Sequence, residues 1–238
     1  MDIKNIHIGE TPEAVAEMIT NRILALAGTA KHPLRIALSG GSTPDSLFRY
    51  WLKRPKDELK NLGVHFWWVD ERLVPAESTD SNYGNAFRAF FGPANYPLSL
   101  LHPIAYDSNK TAVEMASDYD RLLKEDMEKD DRQKAFDLVI LGVGDDGHTS
   151  SLFPGQDLRG EESDYIPGIN PYNGIERVAL SYKGILRAPN VIFHVLGEKK
   201  KEILKTVVYP TDEKEAALPS AYVLKHADGA ELYTDQEI

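Results

Sequence analysis

Phe136-Asp137-Leu138-Val139-Ile140-Leu141, followed at once by Gly142-Val143-Gly144-Asp145-Asp146-Gly147-His148, is the stretch that decides the reading of this chain. Its first half is a short run of branched apolar residues, the pattern of a strand buried on both faces. Its second half is a glycine-rich turn that ends in a histidine flanked by acids. Gly142 to Gly147 literally matches G-x-G-x-x-G, but a dinucleotide site also needs a helix starting there and an acid about twenty residues on at a strand end. Phe153-Pro154-Gly155 interrupts any such helix, and Glu161 and Glu162 fall in irregular sequence. No nicotinamide or flavin cofactor is expected.

Working outward, Leu34 to Leu38, Val64 to Val69, Arg177 to Tyr182 and Val191 to Leu196 also read as strands. Residues 11–27, 44–50, 80–91, 109–129 and 198–207 read as helices, the first with Thr11 as N-cap, Pro12 at its first position and Gly28 after its end. Strands alternating with helices predict an α/β fold, a mainly parallel open sheet with helices on both faces. Residues 154–176, rich in proline and glycine, are the longest irregular segment and are expected to be functional. The 238 residues are expected to form one domain, 1–238.

Open parallel sheets bind ligands beyond the carboxyl ends of their strands. Residues 39–44, 70–72 and 142–151 each follow a predicted strand, so the fold brings them to one crevice. Ser39-Gly40-Gly41-Ser42-Thr43-Pro44 combines close backbone approach, hydroxyls and a helix start, which suits a phosphate. The G-x-x-x-x-G-K-[ST] spacing is absent, so this is no Walker A loop; a capped strand-to-helix turn is the plain structural alternative. Arg72, in Asp70-Glu71-Arg72, carries a planar fork suited to an anion or a developing oxyanion, or else forms a surface ion pair. His148 has the ordinary chemistry of a general base near neutrality, and Asp146 is placed to orient its ring.

Lys199-Lys200-Lys201 puts cations at a helix start, where the dipole disfavours them unless one faces an anion. Arg177, Lys183 and Arg187 lie in or after a strand and could reach the crevice. The other histidines show no metal spacing; His65 and His194 alternate with apolar residues, and Trp51, Trp67 and Trp68 are core candidates. A formal charge of −10 argues against general nucleic-acid binding. With no cysteine, no apolar run near ~20 residues and no secretory leader pattern, the expectation is a cytoplasmic protein without a membrane span. A monomer is the working expectation.

Taken together, L-S-G-G-S-T-P (38–44), W-V-D-E-R (68–72), S-N-Y-G-N-A (81–86), L-G-V-G-D-D-G-H-T-S-S-L-F-P-G (141–155) and V-L-G-E-K-K (195–200) resemble the 6-phosphogluconolactonases. The resemblance implies the fold of the glucosamine-6-phosphate deaminase and ribose-5-phosphate isomerase superfamily. It also implies cofactor-free hydrolysis of 6-phosphogluconolactone, a phosphorylated sugar lactone, in the pentose phosphate pathway. It further implies that His148, Asp146 and Arg72 carry the chemistry. Ser39, Gly40, Gly41, Ser42, Thr43, Asp70, Gly144 and Lys200 would bind substrate. Arg187 joins the binding set with its role open, because relatives read I-N-x-A where this chain has Ile185-Leu186-Arg187-Ala188; whether Asp70 is catalytic or structural is also open. The deaminases of the same superfamily carry a glutamate shortly after their D-G-H, where this chain has Phe153 and no glutamate between 149 and 160. A sugar-phosphate-sensing regulator would carry a helix-turn-helix segment, for which residues before 30 leave no room.

Overall fold

The computed structural model describes residues 5–41, 43–54, 58–129 and 132–238. The chain begins β1 (Ile6–Ile8), α1 (Pro12–Thr29), β2 (Arg35–Leu38), α2 (Pro44–Lys53) and α3 (Glu58–Asn61). It continues β3 (His65–Trp68), β4 (Asp70–Arg72), α4 (Asn82–Ala86), a π-helical turn (Phe87–Phe91) and a 3-10 turn (Leu98–Leu100). Then come β5 (Leu101–His102), α5 (Ala112–Lys129), β6 (Leu138–Leu141), β7 (Tyr165–Ile169), β8 (Glu176–Leu180) and α6 (Tyr182–Leu186). The last part holds β9 (Val191–Val195), a 3-10 turn (Glu198–Lys200), α7 (Lys201–Val208), α8 (Glu213–Ala216), α9 (Pro219–His226) and β10 (Glu231–Thr234). No helix among the described residues is long and apolar enough to cross a membrane.

β6, the strand from which the sequence reading started, is the central member of a seven-stranded parallel sheet of order β1-β10-β9-β6-β2-β3-β5. All four of its residues are buried, as expected for a strand covered on both faces. Leu38 pairs with Ile140 on one side and with Trp68 on the other. The carboxyl ends of β2, β3 and β6 are therefore level, and the three segments that follow them leave the sheet side by side. Ser39 N donates to Ile140 O at 3.0 Å and Val69 N to Leu38 O at 2.9 Å, extending the ladder to the lip of the crevice.

α1 forms where predicted. The Thr11 hydroxyl accepts from Ala14 N at 3.1 Å, and Val15, Ala16, Ile19 and Ile23 pack one face into the core. The helix passes through Gly28 and ends at Thr29. Trp51, Trp67 and Trp68 are buried, and Trp51 donates its indole N–H to Thr20 Oγ1 at 3.0 Å.

Two expectations are corrected. Arg177 to Tyr182 does contain a strand, β8, but it is no part of the parallel sheet. It is the middle strand of a second, antiparallel sheet of order β4-β8-β7. Residues 154–176 are not irregular throughout either, because they contain β7, whose Pro167 and Gly168 mask the strand pattern. The short strands β1, β5 and β10 also escaped the sequence reading; runs of two to four residues are too brief to show a period.

Only Val69 separates β3 from β4, so the chain passes from one sheet to the other in a single residue. That junction is stapled. Leu180 N donates to Val69 O at 2.7 Å, and the Ser150 hydroxyl donates to Val69 O at 3.2 Å and Leu180 O at 2.8 Å. The small sheet thereby stands as a wall beside the carboxyl ends of the large one.

Candidate active site

The crevice at those strand ends holds a cavity of about 290 Å³. Ser39, Gly40, Gly41 and Thr43 border it from the first turn, Asp70 and Arg72 from β4, Gly144 and His148 from the turn after β6, and Lys200 from the end of β9. A larger cavity of about 480 Å³ lies between residues 103–110 and α5, but none of the predicted site residues borders it. Ser42 is outside the described residues.

Thr43 makes no side-chain capping bond, while Gly41 sits at φ +94°, a left-handed conformation that glycine adopts without strain. The Ser39 hydroxyl accepts from Gly142 N at 3.3 Å, tying this turn to the one after β6. Beside it, a Cβ on Gly40 would lie 1.9 Å from Asn82 Oδ1, so only glycine allows α4 to approach this closely.

Glu71 fastens α4 in that position. It is buried and accepts from the backbone N–H of Arg72, Asn82 and Tyr83 and from the Ser81 hydroxyl. Burial pushes the Glu71 carboxyl up, against the pull of those four donors. Asn82 Nδ2 in turn donates to Asp70 O at 2.8 Å and Oδ1 at 3.2 Å. Asp70 also accepts from the Ser151 hydroxyl and faces Arg177 Nη1 at 3.5 Å. Its carboxylate is thus an acceptor for three neighbours.

His148 stands on a turn whose backbone is closed by Gly144 N donating to His148 O at 2.9 Å and Gly147 N to Gly144 O at 2.9 Å. Gly147 has φ +82°, and Ser220 N donates to its carbonyl at 3.0 Å, which braces the turn against α9. The ring's Nδ1 lies 2.6 Å from Asp146 Oδ1, leaving Nε2 for a ligand or water; the side chain is 33% exposed. Phe153 packs on the same ring at 4.7 Å between centroids. Asp146 itself is not on the cavity wall; it stands behind the histidine. Burial, the largest influence on its carboxyl, acts upward, but the Tyr172 hydroxyl and the His148 contacts together hold it below the usual carboxylate range.

Three cations border the cavity. Lys200 Nζ donates to Val143 O at 2.7 Å and Asp145 Oδ1 at 2.6 Å, so of the three lysines at 199–201 this one reaches the site. Arg72 Nη1 donates to Asp80 O at 2.6 Å. Arg177, directly opposite Arg72 in the β4–β8 register, is buried and donates to the Ser151 hydroxyl at 3.1 Å. Burial lowers its guanidinium, yet it stays charged, because arginine starts so high.

The structure corrects one binding residue. Arg187 does not border the cavity; its Nη1 lies 3.1 and 3.2 Å from the two Asp164 oxygens, and Nη2 donates to Gln133 O. A buried carboxylate at the foot of β7 holds it, so its job is to close a structural ion pair. Arg177, one of three basic residues the sequence offered as able to reach the crevice, does border the cavity, as do Ser151 of the 142–151 segment and Asn82 at the start of α4. Arg177 had no signal beyond its charge, since nothing local says that it faces Arg72.

His65 pairs with His102 at 2.9 Å, away from the cavity. His194 borders the cavity floor, but it is buried and neither ring nitrogen has a protein partner. Burial pushes it down to about 4 from 6.5. The unfolded chain therefore takes up this proton near pH 6.5 and the folded chain only near pH 4. The native state keeps its full advantage above pH 6.5 and loses about 3 kcal/mol of it as pH falls through that window. His194→Leu is expected to remove this loss. Urea unfolding at pH 7 and pH 4.5 checks it: equal acid sensitivity in the variant and the wild type would refute the assignment.

Residues 10–233 match the family described as glucosamine-6-phosphate isomerases/6-phosphogluconolactonase. A 6-phosphogluconolactonase of Haemophilus influenzae is 34% identical over 206 residues, covering 86% of either chain. The solved 6-phosphogluconolactonase from Trypanosoma cruzi superposes with a TM-score of 0.81 at 27% identity, over 97% of this chain and 93% of that one. A monomeric glucosamine-6-phosphate deaminase superposes almost as well, with a TM-score of 0.77 at 16% identity over 98% of both chains, and so shares the fold. Matched from residue 10 to residue 233, and one-third identical to a relative over most of its length, this chain belongs to the glucosamine-6-phosphate isomerase/6-phosphogluconolactonase family.

Proposed function

We propose that this chain hydrolyses 6-phosphogluconolactone to 6-phosphogluconate, with water activated by His148. The observation that carries the reading is the 2.6 Å contact of His148 Nδ1 with Asp146, on a ring that shares its cavity with the 39–43 turn. One end of the cavity suits an anion and the other handles a proton.

The 6-phosphate rests against the glycine turn at Ser39, Gly40, Gly41 and Thr43 and the start of α2, where the positive end of the helix dipole favours negative charge, with Lys200 beside it. Asp146 holds Nδ1–H of His148, so Nε2 is basic and takes a proton from water as the oxygen attacks C1. Arg72 stabilises the oxyanion of the tetrahedral intermediate. When that intermediate collapses, the C1–ring-oxygen bond breaks and the imidazolium returns its proton to the departing oxygen. The products are a free carboxylic acid, ionised at neutral pH, and a hydroxyl; no electrons leave the system and no cofactor is consumed.

Deamination fits this cavity less well. The position five beyond His148 is Phe153, buried and packed on the imidazole, where the resemblance to deaminases calls for a glutamate. Lactone hydrolysis needs one base, one water and an oxyanion partner. A coupled assay on fresh 6-phosphogluconolactone, run beside glucosamine 6-phosphate and an enzyme-free blank, tests the choice. Acceleration of the lactone alone is expected; ammonia release from glucosamine 6-phosphate without lactone hydrolysis would overturn the reading. Arg72→Lys keeps the charge but loses the planar fork, and kcat/KM should fall about 10-fold or more. Parity with the wild type would put Arg72 outside the reaction.

A further inference from the structure

Tyr172 lies at the tip of the hairpin joining β7 and β8 and is 71% exposed, a placement usual for an idle surface residue. Its surroundings are not idle. Asn170 Oδ1 accepts from Tyr172 N at 2.8 Å, Gly174 N donates to Asn170 O at 2.9 Å, and Asn173 Oδ1 accepts from Ile175 N at 3.1 Å. Asx turns of this kind fix a tip that would otherwise flex. The tip bends over the turn after β6, where the Tyr172 hydroxyl donates to Asp146 Oδ2 at 2.6 Å. Phe153 fills the angle between the two rings, 6.2 Å from Tyr172 and 4.7 Å from His148.

Asp146 therefore spends both oxygens. Oδ1 accepts from His148 N at 3.1 Å and faces Nδ1 at 2.6 Å, while Oδ2 is held by Tyr172. We propose that Tyr172 is a positioning residue for His148: through Asp146 it locks the imidazole's orientation, so that the tip of the small sheet completes a base assembled on the large one. The proposal rests on the reading of His148 as the base. A carboxylate fastened at one oxygen only can rotate about its Cβ–Cγ bond and carry the imidazole with it; fastened at both, it cannot. The hydroxyl also draws charge from Asp146, tempering how strongly the imidazolium is favoured once His148 has taken its proton.

Tyr172→Phe isolates the hydroxyl, because the ring and its contact with Phe153 remain. Two readouts are needed. In the free enzyme, the acid limb of kcat/KM should move to higher pH, since Asp146 without its donor is a stronger partner for the imidazolium. At a pH well above that limb, kcat should fall roughly 5-fold with KM nearly unchanged, the rate equivalent of one ordinary hydrogen bond. The other charges facing this assembly, Asp70, Arg72, Asp145, Arg177 and Lys200, are the same in both proteins, so they drop out of the comparison.

An unmoved acid limb overturns the proposal, even if kcat falls, because the loss would then come from disturbed packing. A moved limb with an unchanged kcat overturns it too, for Tyr172 would then tune the pair without positioning it. Failure of the underlying reading of His148 as the base looks different: His148→Ala would retain full turnover, while the NMR shifts of the His148 ring protons in Tyr172→Phe would still report whether Tyr172 is coupled to His148.

Discussion

His148→Ala is expected to lower turnover on 6-phosphogluconolactone by ~10²–10⁴-fold while the protein stays folded, the usual worth of a general base. The fold should tolerate the change because the ring makes few structural bonds. Its side chain is one-third exposed at 33%, and the backbone closures at Gly144 and Gly147 do not involve it. Losing the ring also frees Asp146, which is satisfied at its other oxygen by Tyr172. KM should change little, because the phosphate subsite is untouched. Rates must be read against the enzyme-free reaction, since the lactone opens by itself. Near-normal turnover in the variant would remove His148 from the mechanism.

Gly144→Ala should be nearly as damaging without deleting any functional group. A Cβ there would stand 2.0 Å from His148 Nδ1 and 2.1 Å from Cε1, far inside van der Waals contact. The backbone cannot retreat freely, because Gly144 N and O are both bonded within the turn. The imidazole must therefore move, and moving it breaks the 2.6 Å contact with Asp146. A displacement of about 1 Å at a reacting group can cost 10²-fold, so a loss of that order in kcat is expected. Circular dichroism and melting should be near wild type, because Gly144 does not hold a positive φ. A variant within threefold of wild-type kcat would mean that the ring position does not limit the reaction. Read together, the two substitutions separate the presence of the imidazole from its placement.

Much of the site was legible because its parts are local. Asp146 and His148 are two residues apart on one glycine-rich turn, and the 39–44 turn announces itself by composition. β6 reads as buried from its four apolar residues alone, and the rule that parallel sheets bind ligands at their carboxyl ends placed three separate segments together. Arg187 shows the opposite limit. A basic residue just beyond a strand suits a substrate contact and a structural ion pair equally well, and only Asp164, 23 residues away, decides for the second.

Alone, the chain's pattern of apolar runs, glycine turns and helix caps determined the central strands, their common direction and the placing of His148 and Asp146 on one turn at a strand end. Those follow from backbone preferences and side-chain burial, which act over a few residues. Tertiary structure alone decided that β4 and β8 run antiparallel with Arg72 opposite Arg177, that Asp70 is held by Asn82, Ser151 and Arg177, and that Tyr172 reaches Asp146. Each of these depends on how the small sheet docks beside the large one. That docking is set by the summed packing and hydrogen bonding of residues distant in sequence, so no local stretch of the chain could encode it.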